Sequence, residues 1–310
     1  MTTEVELFSA GRALADARNV PTGQGRWQQH YSAREARMVV IGRMLAQVAV
    51  IPMLTDRCTL VGVDGDPEML DALTARSDGR TLHIEGDLPF KPGGGNGPFS
   101  GTFFSGGNVT MTVGGAGGSF YSSGGRSMFL IDGREVDIDR YIRLVLAVPA
   151  AASVQVRGLI GAAGIAGDLD GDVDFSPSCQ AELVTAGRVG SLTGDITGSG
   201  SATIGAVDGN AEIEISGSGS ILAGSVGGAV DARVSGSGSV AVEGGHSTRL
   251  RASVSGSGSV QHHGTVAGDA RLRVSGSGHI RASVVRGDLD PKVSGSGSIT
   301  ANGQTYRPRW

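Results

Sequence analysis

The feature that most constrains this chain is a tripeptide, Gly-Ser-Gly, that returns at Gly198, Gly217, Gly236, Gly256, Gly276 and Gly295, in steps of 19, 19, 20, 20 and 19 residues. So constant a step marks one structural unit iterated along the chain. The flanks repeat as well: Ile215-Ser-Gly-Ser-Gly-Ser-Ile221, Val234-Ser-Gly-Ser-Gly-Ser-Val240, Val254-Ser-Gly-Ser-Gly-Ser-Val260 and Val274-Ser-Gly-Ser-Gly-His-Ile280 follow one template. Between these marks the residues alternate with period two. In Arg271-Leu-Arg-Val274 the arginines fall on one face and Leu272 and Val274 on the other, and Thr248-Arg-Leu-Arg-Ala-Ser-Val254 and Ala211-Glu-Ile-Glu-Ile215 do the same. Each unit therefore reads as corner, short strand, Gly-containing turn and second strand.

A single unit buries too few apolar side chains to offset the ordering of its own backbone. Stacked units share ladder hydrogen bonds and one continuous interior, which only a solenoid supplies. The expected fold is all-β: a single-stranded, parallel β-helix-like solenoid with 19–20-residue coils. The corner glycines, Gly198, Gly200, Gly217, Gly219, Gly236, Gly238, Gly256, Gly258, Gly276, Gly278, Gly295 and Gly297, are expected to supply backbone shapes, including positive φ, that other residues reach only with strain. The serines between them are expected to stack in a column and exchange hydrogen bonds with their copies one coil away.

This repeat divides the 310 residues into an N-terminal extension (1–35), strands and a short helix joining the solenoid (36–90), a Gly/Ser-rich loop or insertion (91–127), the solenoid proper (128–303) and a tail (304–310). Strands are expected at Gln47-Val-Ala-Val-Ile51, Cys58-Thr-Leu-Val-Gly62, Thr81-Leu-His-Ile84 and Tyr141-Ile-Arg-Leu-Val-Leu-Ala-Val148, the last ending at Pro149. Asp66 followed by Pro67, with Leu70 and Leu73 three apart, signals a capped short helix. Within the extension, Leu7, Gly11, Leu14 and Ala15 would form one helical stripe.

A net charge of −4 and no run of like charge give no footprint for nucleic acid or an anionic membrane. No stretch is long and apolar enough to span a bilayer, and the acidic start Met1-Thr-Thr-Glu-Val-Glu6 is not a secretory signal. Taken alone, these features place the chain in the cytoplasm. Cys58 and Cys179 form no CxxC pattern and read as two inert thiols.

The pattern as a whole resembles the head GIN domain family, labelled putative auto-transporter adhesins. The resemblance is carried by Gly65-Asp-Pro-Glu-Met-Leu-Asp71, Gly79-Arg-Thr-Leu-His-Ile84, the strand reaching Val148-Pro149 and the iterated Val-Ser-Gly-Ser-Gly-Ser, and it covers roughly residues 36 to 303. It implies a right-handed parallel β-helix-like fold, no established catalytic activity and a place at the cell surface.

Candidate sites weigh against chemistry. Asp168, Asp170, Asp172 and Asp174 alternate like a calcium loop, but the positions that need Gly and Glu hold Val173 and Cys179. Outward carboxylates beside a turn explain them better. His262 and His263, with His246 and His279 in neighbouring coils, would need to share a face to bind metal, and adjacent strand residues point to opposite faces. No cofactor is expected. A polysaccharide-cleaving enzyme would need converging carboxylates and aromatic platforms, yet residues 197–303 hold no Trp, Tyr or Phe. Serines are too frequent for any one Ser–His pairing to be singled out. The expectation is a non-catalytic structural or adhesion-type module that binds a protein or glycan partner or self-associates. An intracellular scaffold assembling end to end is the alternative, and a polysaccharide-active enzyme a weaker one.

Overall fold

A computed structural model describes residues 10–21, 31–86, 141–177 and 181–308, together with the backbone of four strands between 110 and 137. The chain winds as a β-solenoid of two long sheets facing each other across a single apolar interior. Every coil from residue 153 onward places one strand in each sheet. Ala211–Ile215 lies in the first sheet, Ser220–Ser225 in the second, Ala229–Val234 returns to the first and Ser239–Gly244 to the second. Coil-to-coil neighbours in this run are parallel, and in the first sheet the register is unbroken, so that Ile215, Val234, Val254, Val274 and Val293 form one column; the second sheet shifts register after Thr185 and after His262. The period-two pattern explains the burial: in Ala211–Ile215 the apolar residues are buried and both glutamates exposed.

The early coils depart from this order. Leu45–Met53 lies between Ile142–Pro149 and Ile160–Ile165, parallel to both. Its partner strand Met38–Gly42 lies between Thr81–Glu85 and Ser153–Arg157. The coil formed by 38–53 is therefore threaded between segments that follow it much later in the chain, Met38 lying against Thr81 on one side and Ser153 on the other, and Ala46 against Ile142.

Both ends are closed by antiparallel strands. At one end Arg57–Gly65 and Tyr31–Arg34 finish the second sheet, and Thr74–Ser77 finishes the first. Between them sits helix α1 of this cap, Pro67–Ala72, whose N-cap Asp66 accepts from the backbone of Glu68 at 3.1 Å and of Met69 at 3.3 Å, as the sequence leads one to expect. At the other end Gln304–Tyr306 folds back on Ser298–Ala301 through Asn302 and Gly303, both at positive φ, the pairing a tight hairpin turn requires. The remaining edge strand, Leu289–Val293, carries Pro291, a residue with no N–H to offer another strand.

A second short helix, Ala10–Asp16, packs on the outer face of the second sheet. It buries Ala10 and Ala13, with Leu14 against Gly164, where an added Cβ would lie 2.8 Å from the Ala10 carbonyl oxygen. Gly11 and Ala15, expected on the same stripe as Leu14, are exposed, because the contacting face follows the 10, 13, 14 spacing; Leu7 lies outside the described residues. The Ala10 N–H donates to Glu182 Oε2 at 3.0 Å. This cover explains why Ile160–Ile165, rich in Gly and Ala, is buried at every position.

Most of the Gly/Ser-rich stretch 91–127 lies outside the described residues. Thr110–Met111, Gly118–Ser123, Arg126–Ile131 and Arg134–Asp137 form a separate four-stranded antiparallel sheet.

Candidate binding surface

The Gly-Ser-Gly units stack in register on one corner of the solenoid, but the reason for glycine differs from expectation. Among the twelve corner glycines only Gly295 has a positive φ, of 113°. Nine of the other eleven are required by close approach between coils. A Cβ on Gly238 would stand 2.7 Å from the Gly219 carbonyl oxygen and 2.6 Å from Ile215 Cγ2, and one on Gly219 would stand 2.6 Å from the Gly200 oxygen. Gly217, Gly236, Gly256, Gly258, Gly276, Gly278 and Gly297 meet the carbonyl of the coil before them in the same way. Gly198 stacks beneath Gly217, and Gly200 sits against Pro177 and the Ala181 carbonyl.

The serines too behave differently from expectation. Their backbone carries the column: Ser218 donates its N–H to the Gly198 carbonyl at 3.0 Å, Ser237 to Gly217 at 3.1 Å and Ser257 to Gly236 at 3.0 Å. The side chains are turned to water. Ser216, Ser235, Ser255, Ser275 and Ser294 form one exposed column, and Ser218, Ser237, Ser257, Ser277 and Ser296 a second. A third, half-buried column of Ser220, Ser239, Ser259 and Ser298 includes His279, whose Nδ1 lies 3.1 Å from Ser298 Oγ. Strand spacing in a sheet sets the copies at about 4.8 Å intervals.

The aspartate run is engaged internally. Arg188 reaches Asp170 and Asp208 at 2.7 Å each and Asp168 at 3.5 Å, which pushes its own pKa up through the hydrogen bond to Asp208 and the charge of Asp170. Asp174 accepts from Ser176 Oγ at 2.6 Å and pairs with Gln155 and Arg157. Asp172 sits at the adjoining turn, its N–H donating to Ser153 Oγ at 3.1 Å. Among the described residues no group of three His, Cys, Asp or Glu side chains converges as a metal site.

The histidines are split as the strand geometry requires. His262 points into the interior, fully buried, while His263, His246 and His279 do not. His262 Nε2 lies 2.9 Å from Ser247 Oγ, and that hydroxyl donates to the Val226 carbonyl at 3.1 Å. With its proton given to that carbonyl, the hydroxyl accepts from the Nε2–H of the neutral ring, which leaves Nδ1 as the acceptor without a partner. Burial pushes the imidazole pKa down. Both side chains are closed off from solvent and no acid orients the ring, so the pair lacks the access and geometry of a nucleophilic dyad. Burial likewise pushes the Cys58 thiol up to about 11, leaving it unreactive; Cys179 lies outside the described residues. No helix among the described residues is long and apolar enough to cross a membrane.

A charged feature that composition conceals lies on the outer face of the first sheet. Arg249, Arg251 and Arg271 project there, all exposed, and no ion pair engages them among the described residues. Arg251 and Arg271 are direct register partners on adjacent strands. The signal was present in the alternation of Arg with Leu and Val, but the charges lie a coil apart in sequence.

The parallel two-sheet coil with stacked Gly-Ser-Gly corners defines a β-solenoid repeat module. Residues 210–305 match the model of the family described as putative auto-transporter adhesin, head GIN domain. Among solved structures the chain is similar to a putative adhesin from Parabacteroides distasonis ATCC 8503, with a TM-score of 0.51 and 15% identity over 88% of this chain and 95% of that one. That likeness concerns the fold. A putative adhesin from Parabacteroides merdae ATCC 43184 has a TM-score of 0.46 and 12% identity, covering 88% of this chain and 94% of that one. A putative lipid binding protein from Parabacteroides distasonis ATCC 8503 also has a TM-score of 0.46, with 14% identity over 88% and 96%. No curated protein matches the chain.

Proposed function

We propose that the protein is a non-catalytic, adhesion-type module that contacts its partner through the serine-bearing corner of the solenoid. The observation that carries this reading is the pair of exposed hydroxyl columns held on a stacked backbone from Ser216 to Ser296. A rigid row of identical groups suits a partner that is itself repetitive, because many weak contacts then act together. The names carried by the family and by two of the similar structures, those of adhesins, support it. End-to-end assembly into a scaffold has less support, since antiparallel strands and Pro291 block the edges it would use.

Retention of the purified full chain on isolated bacterial cell walls and on cultured epithelial cells tests the proposal. Replacing Ser216, Ser218, Ser235, Ser237, Ser255 and Ser257 by Ala is expected to lower retention severalfold with the melting temperature unchanged. Wild-type protein that binds neither surface overturns the reading, as does a turnover abolished by one substitution.

A further inference from the structure

The outer face of the first sheet is charged unevenly along the solenoid axis. In its middle, acids prevail: Glu212, Glu214 and Asp231 surround Arg233, which lies 3.0 Å from Asp231 and 3.7 Å from Glu212. Toward the C-terminal end the sign reverses. Arg249, Arg251, Arg271, Arg273 and Lys292 share the face with Asp290, which is taken by Arg273, and adjoin Asp231, which is taken by Arg233. This stands out in a chain whose net charge is −4.

Ion pairing within the sheet does not use these side chains: Arg251 has Asp231 and Arg271 as register neighbours, Arg271 has Arg251 and Asp290, and the two acids are already taken by Arg233 and Arg273. The alternation continues outward into hydroxyls: Arg249, Arg251, Ser253, Ser255 and Ser257 follow one another on one coil, and Arg271, Arg273, Ser275 and Ser277 on the next. Guanidinium groups therefore adjoin the exposed serine columns.

We infer that this arginine and serine surface binds an acidic polysaccharide, its carboxylate or sulfate groups held by Arg249, Arg251 and Arg271 and its hydroxyls by the adjoining serines. Arginine presents a fork that matches a planar or tetrahedral oxyanion, and hydroxyls exchange hydrogen bonds with a sugar's own. The face has no aromatic side chain on which a nucleic-acid base would stack. It also has no exposed large apolar side chain to enter a bilayer. The inference rests on the adhesion reading and names the partner's chemistry.

The test is affinity electrophoresis of the full chain through polygalacturonate and through chondroitin sulfate, with dextran as the neutral control. Wild type is expected to be retarded by at least one acidic polymer, less so at higher salt, and not by dextran. The triple variant Arg249→Ala, Arg251→Ala, Arg271→Ala is expected to lose affinity about tenfold or more. Its melting temperature should stay level, because all three side chains are exposed and none is held in an ion pair among the described residues. Failure of wild type to bind either acidic polymer overturns the inference, as does equal binding by the triple variant. Tighter binding to phosphatidylserine vesicles or to single-stranded DNA overturns it too. Cell-wall retention separates this failure from that of the adhesion reading: if it is lost in the serine variant but kept in the arginine variant, only the polysaccharide assignment falls.

Discussion

The coils over 211–301 and those over 38–165 share one interior and two sheets, yet they solve different problems. In the later coils each strand pairs with its copies 19 or 20 residues away, and the buried column is a run of Val, Ile, Leu and Ala. In the earlier coils the ladder is assembled from distant segments around bulkier residues such as Ile41, Met44, Leu45 and Leu144. Their outer face is covered by Ala10–Asp16, so Gly164, Ala162 and their neighbours stay small. The later coils leave both outer faces to solvent, and there the repeated serines and the unpaired arginines are found. The earlier coils are covered on one outer face, the later coils on neither.

The largest effect that would break this contrast concerns the stacking of corners. Gly238→Val drives a side chain into the Gly219 carbonyl and Ile215, and is expected to cost about 3 kcal/mol or more. Gly167→Ala, in the earlier coils, meets nothing within 4 Å and should change stability by less than about 0.5 kcal/mol. Thermal unfolding of both variants checks the pair; equal shifts would mean that the corner glycines are not packing positions.

A smaller effect comes from the polar pair inside the regular coils. His262 occupies the register position held by Val242 before it and Ala282 after it. Its register neighbours Val242 and Ala282 are apolar, Leu250, Ala252 and Val254 of the opposite sheet are buried in the same interior, and Ser247 is its polar contact; Glu243, Arg249, Arg251 and Arg281 are exposed, and His263 and His246 lie on the solvent side. The folded-state pKa lies below the ordinary 6.5, so the unfolded chain takes up a proton first as pH falls. Stability is therefore full above about 6.5 and declines below it until the folded pKa is reached. His262→Val should raise stability by about 1–3 kcal/mol by removing an unsatisfied buried group, and should flatten the acid-side decline. Melting temperatures at neutral and mildly acidic pH, with no difference between variant and wild type, would contradict this.

The smallest effect is an expected absence of change. With both ends closed, light scattering should return a monomer mass independent of concentration. Mass that grows with concentration would show that the edge at Pro291 is open to pairing.

How far the chain could be read follows from where its partners lie. Alternation and the Gly-Ser-Gly step made the later coils legible, because in a parallel ladder a residue's neighbour is its own copy. The cap at Asp66 was legible for a similar reason, since capping is local. The threading of Leu45–Met53 was not, because nothing in that strand records that Ile142–Pro149 will lie beside it. Nor could composition show whether a corner glycine serves positive φ or close approach; both demand the absence of Cβ. The arginine face was hidden because Arg251 and Arg271 are neighbours only once the coils are stacked.

The threaded coil also sets what this architecture tolerates. Thr81–Glu85 and Ile142–Pro149 supply the two strands of one coil level, and the strands described between them belong to a separate sheet. The entropy of closing such an excursion grows only with the logarithm of its length, about 0.6 kcal/mol for each doubling. Once the two strands have met, lengthening, shortening or replacing the excursion costs the body little. That junction is where such a chain can acquire a new part without rebuilding the old one.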